Sequence, residues 1–288
     1  MILYFMLHVL TVADSVERCR YLTETAAQCG VDVQVAHVPV WRGYTDKIYA
    51  MASVLDFIPD DDVVLFVDAY DVLCMAGSVE ILDKFRGYGC DLVLSSELNC
   101  YPAENAAEYD RVQRDMALPT RYRYVNSGGY IGYAWAVRHM LCWKPAWEME
   151  AISALGGDQN YVSQYYLTLA RARMDGQTRR PLVRLDVAQT LFQSLYKVHL
   201  SSLVFLQGRV YNHVVKSYPC FVHFNGSRDY HEEVIYDGRE GGEAAHPKWT
   251  PAIPLFIRKM AESREFGNAG MDYRWPEGGV SGGMLPQI

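Results

Sequence analysis

Apolar and polar positions alternate in blocks along the first hundred residues, and the blocks predict strands and helices in turn. Ile2–Val12 reads as a strand and Asp14–Cys29 as a helix, with Asp14 as N-cap and Gly30 closing it. Val31–Val38 is a second strand. In Thr45–Ile58 the residues Ile48, Met51, Leu55 and Ile58 recur at helical spacing, and Pro59 ends the segment. Val63-Val64-Leu65-Phe66-Val67 runs without a polar break, which suits a strand covered on both faces. A helix over Ser78–Phe85 and a strand over Asp91–Ser95 follow. Strands alternating with helices of this length imply βαβ units. The expected class is α/β, with a Rossmann-like, mostly parallel central sheet and helices on both faces.

The pattern loosens in the second half. Asn126-Ser127-Gly128-Gly129 reads as a turn between aromatic-rich flanks. Trp135–Ala151 and Asp158–Ala170 read as helices. Pro181–Asp186, Thr190–Leu195 and Cys220–His223 read as short strands, expected as antiparallel additions. Tyr230–Lys248 is rich in Gly, Glu and His, and is expected to be a mobile lid. Residues 267–288 are expected to form a poorly ordered tail. No repeat or linker divides the chain, so residues 1–266 read as one domain.

The carboxylates Asp68 and Asp71 stand where the buried run Val63–Val67 ends. Sheets of this class place ligands beyond the carboxyl ends of their strands. Hard carboxylate oxygens there suit Mg²⁺ or Mn²⁺ against a diphosphate. Taken alone, the pair fits an acidic, solvated turn equally well. Lys47 lies in the first turn of a helix, where a cation opposes the dipole, so an anionic or carbonyl partner is expected. Asp158 opens another helix after Gly156-Gly157. It reads either as an N-cap or as a carboxylate that handles sugar hydroxyls or the displacement.

Composition narrows the function class. The 288 residues carry a net charge of −7, against the basic stripe of a nucleic-acid binder. Twenty-one tyrosines and six tryptophans suit a polar-aromatic cleft that stacks on sugars or bases. Seven scattered cysteines lack metal-ligand spacing and read as small buried hydrophobes in a reducing compartment. Met1–Val12 has no basic n-region and no cleavage site, and no apolar run reaches the length of a membrane span. A cytoplasmic protein without a transmembrane segment is expected.

Four segments in order resemble the glycosyltransferase domain of lysyl hydroxylases and the related procollagen galactosyltransferases. They are FVDAYDV (66–72), YVNSGGYIGYA (124–134), GDQNYV (157–162) and FVHFNG (221–226), with weaker support from residues 185–196 and Trp41-Arg42-Gly43. The resemblance implies a GT-A fold, a UDP-sugar donor and Mn²⁺, or alternatively Mg²⁺. It makes Asp68, Asp71 and His223 the metal ligands, and sets Asn126 and Asp158 near the reacting centre. It also brings Trp41, Lys47, Tyr70, Gly226 and Arg228 to the nucleotide, Tyr70 at the uridine and Arg228 at the diphosphate. The loop after Trp41 is shorter than the family's, and Gly-Gly replaces an acidic run before Asp158. The expected reaction moves glucose or galactose from UDP to hydroxylysine or galactosyl-hydroxylysine of a collagen-like protein. A glycan or other non-collagen acceptor is one alternative, and an inactive carbohydrate-binding relative is another. A nucleotidyltransferase is disfavoured, because Thr11–Ser15 is no glycine-rich basic loop.

Overall fold

The computed structural model describes residues 6–114, 120–177, 181–226 and 252–266. The early alternation is present as β1 (Leu7–Ala13), α1 (Arg20–Gln28), β2 (Val33–His37), α2 (Thr45–Leu55) and β3 (Val63–Val67). Next come β4 (Val72–Cys74), α3 (Ser78–Gly87), β5 (Leu92–Glu97) and α4 (Ala106–Val112). They are followed by β6 (Tyr124–Tyr133), α5 (Ala134–Leu141), α6 (Ala146–Ser153) and α7 (Gly157–Met174). The strands β7 (Val183–Leu185), β8 (Phe192–Ser194), β9 (Leu203–Leu206), β10 (Arg209–Asn212) and β11 (Phe221–His223) precede the helix α8 (Ala252–Phe266).

The central sheet has the order β2-β1-β3-β6-β5-β7. β1 pairs parallel with β2 and β3, β5 pairs parallel with β7, and β6 alone runs against its neighbours β3 and β5. The unbroken apolar run of β3 has a simple cause. Val64 and Phe66 enter a core with Ile48, Met51 and Leu55 of α2 and Tyr161 and Tyr165 of α7. Val63, Leu65 and Val67 enter a second core with Leu22 and Ala26 of α1 and Ile81 and Phe85 of α3. Both faces are apolar, so hydrophobicity alone does not pin the register. Sliding β3 by one residue would draw the Asp68 carboxylate into the sheet, at the cost of desolvating a charge.

A second sheet, β4-β11-β8, packs beside the first. The three short strands expected as antiparallel additions are present as β7, β8 and β11, but only β11 has an antiparallel partner, β4. β7 pairs parallel with β5, β8 pairs parallel with β11, and an antiparallel β9–β10 ribbon is added that the sequence did not suggest. Asn126–Gly129 is no turn. It lies inside β6, with Gly129 opposite Val67, and neighbouring side chains fill the space that the glycines leave free. The expected helix over Trp135–Ala151 is two helices, because Pro145 stands extended at the start of α6 and cannot continue α5. Asp14 caps no helix. A 3₁₀ turn over Glu17–Cys19 precedes α1, and the Asp14 carboxylate accepts the Tyr70 hydroxyl instead. Gly30 does follow α1 in the left-handed region, at φ 69°. Four of the seven cysteines are buried and all seven are free thiols. Among the described residues no helix is long and apolar enough to cross a membrane. The expected lid and the tail 267–288 lie outside the described residues.

Helix α8 closes a third core over the second sheet. Ile253, Phe256 and Met260 pack with Leu73, Val210, Val222 and Phe224. The Phe256 ring stands edge-on to Phe205 and Phe224, with centroids 5.0 and 4.9 Å away. Phe256→Ala is expected to lower stability by about 3–5 kcal/mol, the scale of a large-to-small core change. Urea denaturation checks this, and a loss within about 0.5 kcal/mol, the range of surface substitutions, would mean that α8 is not part of the cooperative fold.

Candidate functional site

Backbone pairing builds the site. The Asp68 N–H donates to the Gly128 carbonyl (3.0 Å), so the β3–β6 ladder continues one step past the strand and fixes the first carboxylate. The chain then turns within three residues into β4, which belongs to the other sheet. Register sets His223 of β11 opposite Val72 of β4, and the Phe224 N–H donates to the Asp71 carbonyl (2.8 Å). His223 therefore meets Asp71 across a ladder. Its Nε2 lies 3.2 Å from Asp71 Oδ2 and 3.6 Å from Asp68 Oδ2. One ligand atom from each of the three residues falls within 4.8 Å of the others, close enough for a single cation. Two carboxylates and an imidazole form a donor set that suits Mn²⁺.

Gly128 makes room for this grouping. A Cβ on it would stand 2.1 Å from His223 Cε1 and 2.6 Å from Asp68 Oδ2. The small-residue run thus serves close approach, as its composition implies, but the groups that approach are the protein's own Asp68 and His223 side chains. Asn126 is likewise turned toward the histidine. Its Oδ1 accepts the Gly128 N–H (3.1 Å) and lies 3.1 Å from His223 Nδ1, while its Nδ2 donates to Glu97 (3.2 Å). An N–H on one side and a carboxyl on the other fix the amide orientation. The Nδ1–H of His223 then donates to Asn126, and Nε2 faces the carboxylates, 3.2 Å from Asp71 Oδ2, as the nitrogen that would take a metal ion in place of a proton.

Lys47 of α2 links the triad to α7. Its Nζ lies 2.8 Å from Asp68 Oδ1 and 2.6 Å from Asp158 Oδ2. This supplies the anionic partner that a cation in a first helical turn calls for. Burial pulls the Lys47 pKa down, but Asp158 and Asp68 more than reverse it, and the amine is held charged. Burial raises the Asp68 pKa, and Lys47 and then His223 outweigh it, so the carboxylate titrates below its usual value. Asp158 is buried in the first turn of α7 and makes no side-chain cap. Two left-handed glycines, Gly156 at φ 82° and Gly157 at φ 65°, lead into it.

Glu97 was not singled out from sequence, where the strand was ended at Ser95. It closes β5 just as Asp68 closes β3, and strand-end position was the available signal. Only 2% exposed, it receives the amides of Asn126 (3.2 Å), Gln159 (2.7 Å) and Asn225 (3.0 Å). Burial drives its pKa up to about 7 against the lowering by those amides. Tyr70 lies half-buried where β1 and β3 end, its oxygen accepting the N–H groups of Asp14 and Ser15 (3.0 Å each) and its ring covered by Arg18 at 4.2 Å. Trp41 is exposed on the β2–α2 loop. Gly226 follows Asn225 and packs against the Tyr196 ring. Arg228 lies outside the described residues.

The raised Glu97 pKa has a consequence for stability. Between roughly pH 4.3, where an unfolded glutamate titrates, and about 7, the native state holds a proton that the unfolded state has lost. This contribution to stability is therefore full at acid pH and falls as pH rises through that window. Glu97→Gln should remove it, flattening the pH dependence of the urea midpoint between about pH 5 and about pH 8 relative to the parent. Parallel curves for the two proteins would count against a protonated Glu97.

Comparison with known proteins places the chain in a family. The model of the PLOD GT domain matches residues 6–234. A protein of Acanthamoeba polyphaga mimivirus is 30% identical over 186 residues, covering 64% of this chain and 36% of its own length. The procollagen-lysine,2-oxoglutarate 5-dioxygenase of Drosophila melanogaster is 30% identical over 175 residues, covering 58% of this chain and 21% of its own. The human multifunctional procollagen lysine hydroxylase and glycosyltransferase LH3 is 28% identical over 172 residues, with the same coverages of 58% and 21%. The chain thus spans between a fifth and somewhat over a third of the length of these relatives. Among solved structures, mouse xyloside xylosyltransferase 1 superposes with a TM-score of 0.40 at 12% identity, over 77% of this chain and 98% of its own. A match that runs from the first described residue past the last metal-ligand candidate makes this chain a member of the PLOD GT domain family, a family of glycosyltransferase domains.

Proposed function

We propose that this chain transfers a hexose, glucose or galactose, from a UDP-sugar to a hydroxyl group in a Mn²⁺-dependent reaction. The acceptor in this reading is hydroxylysine or galactosyl-hydroxylysine of a collagen-like protein. One observation carries it: Asp68, Asp71 and His223 converge at the carboxyl end of β3, in a chain of this family. The names of the Drosophila and human relatives, which refer to procollagen lysine, support the acceptor class.

The three side chains would hold the ion, which when bound stabilises the charge that builds on the departing diphosphate. The remaining work belongs to the protein. Asn126 holds His223 in the tautomer that offers Nε2, which makes it a positioning residue rather than a contact to the sugar. Lys47 keeps Asp68 ionised and fixes the Asp158 carboxylate beside the same centre. Asp158 is then placed to bind a sugar hydroxyl or to take its proton. Tyr70 offers a ring whose hydroxyl is pinned by backbone, a rigid wall for the uracil.

Asp71→Ala should abolish Mn²⁺-dependent UDP release from UDP-glucose and UDP-galactose while the circular dichroism spectrum stays that of the parent. Undiminished turnover in that variant, or in excess chelator, would overturn the metal assignment. Asp158→Asn should lower turnover by roughly two orders of magnitude, the scale of a lost acid–base group. Lys47 retains Asp68 as a partner in that variant, so calorimetric UDP affinity with Mn²⁺ should hold. A loss of UDP binding in step with turnover would assign Asp158 to the nucleotide instead.

A further inference from the structure

Two exposed aromatic side chains flank the glycine pair that precedes Asp158, and the proposed chemistry gives them no task. Tyr44 directly precedes α2 and is 58% exposed. Its ring lies against the backbone of Gly157, where a Cβ would stand 2.9 Å from Cδ2 and 3.1 Å from Cγ. On the other side, Pro102 packs on Gly156 in the same manner, at 2.8 Å from its Cδ, and carries the 54% exposed Tyr101 beside it. The Tyr101 carbonyl accepts the Gln159 amide (3.4 Å). Tyr44 and Lys47 are three residues apart, so they lie on one face of a helical turn. That face touches α7 twice, ring on Gly157 and ammonium on Asp158. The Cβ–Cγ–Cδ2 side of Tyr44 thus rests on bare backbone, and the residue is more than half exposed.

We infer that Tyr44 is a stacking platform for a sugar ring of the acceptor, so that the preferred acceptor presents its hydroxyl from a hexose and not from an amino-acid side chain. This rests on the transferase reading and refines it. The apolar C–H face of a hexose matches a flat aromatic surface, while its hydroxyls find Asp158 and Gln159 at the start of α7. The tyrosine is backed by glycine backbone, so it is held in place without a side chain beneath it. Gly157 sits at φ 65°, a region costly for other residues, which keeps that backing bare. The Lys47 ammonium lies between Asp158 and Asp68, so a ring on Tyr44 stands next to the metal-ligand cluster without covering it. A platform on the donor side would instead adjoin Tyr70, on the strand-end turn between Asp68 and Asp71.

The test uses the full chain with UDP and Mn²⁺ and titrates methyl β-galactopyranoside by saturation-transfer NMR. Tyr44→Ala should weaken galactoside binding about tenfold, equivalent to about 1.4 kcal/mol, and Tyr44→Phe should retain it. Steady-state kinetics should show the KM for galactosyl-hydroxylysine rising by a similar factor in Tyr44→Ala with kcat little changed, the mark of lost uniform binding. The KM for free hydroxylysine should not move. Equal galactoside affinity in parent and Tyr44→Ala, or no binding by the parent, would overturn the inference. So would a parallel rise in KM for both acceptors, which would indicate peptide docking, or a loss of UDP affinity in step, which would assign the ring to the donor. Galactoside binding that depends on Tyr44, in a protein that releases no UDP from either UDP-hexose, would uphold the platform and refute the transferase reading.

Discussion

The pairing of β11 with β4 is the constraint on which the site depends. His223 and Asp71 are 152 residues apart in the chain, and a short antiparallel ladder brings them into contact. The turn from Asp68 to Asp71 carries the chain out of the central sheet and into the second one, so the two carboxylates belong to different sheets. The histidine must come from the strand that pairs with β4. Backbone hydrogen bonds cannot be met by a partial register, so His223 and Asp71 are either brought together or both misplaced. The apolar core beneath α8 secures this pairing, because Phe224 follows His223 directly and is buried in it.

Charge around the triad is arranged in two distinct ways. Asp68 and Asp158 share one buried ammonium, and its removal would leave the buried Asp158 and the partly exposed Asp68 without their common counter-charge, a destabilising change. Glu97 is held by three side-chain amides, with a pKa near 7. The amides attach it to Asn126 behind the histidine, to Gln159 beside Asp158, and to Asn225 just past β11. A single carboxyl thus ties together the groups that position the metal ligand and the start of α7. Its satisfied network rigidifies the site.

Much of this was legible in the sequence, and the misses share a cause. The buried run of β3 and the amphipathic spacing of α2 are local signals, and both elements form where they were expected. Asp68, Asp71 and His223 were found because ordered motifs carried information that spacing alone did not. What failed was decided by long-range packing. Asn126–Gly129 has the composition of a turn, yet it runs through a strand because β3 pairs along it, and its glycines leave room for Asp68, His223 and Phe192. β4 has only three residues, too few for a periodic signal, and exists because β11 pairs with it. Lys47 signalled a missing partner, but nothing local could say that two carboxylates from separate elements would provide it.

The location of the triad across two sheets makes it a strut as well as a binding site. Asp68 is anchored to the central sheet through Gly128, and His223 to the second sheet through β4. An ion coordinated by both would join the two layers by bonds that the unfolded chain cannot make. Such linkage adds about 1.4 kcal/mol for every tenfold by which free ion exceeds its dissociation constant. With such an ion bound, the mechanical integrity of the fold would follow the metal supply of its surroundings, and ion depletion would be felt first as loosening between the layers, before any change in either sheet.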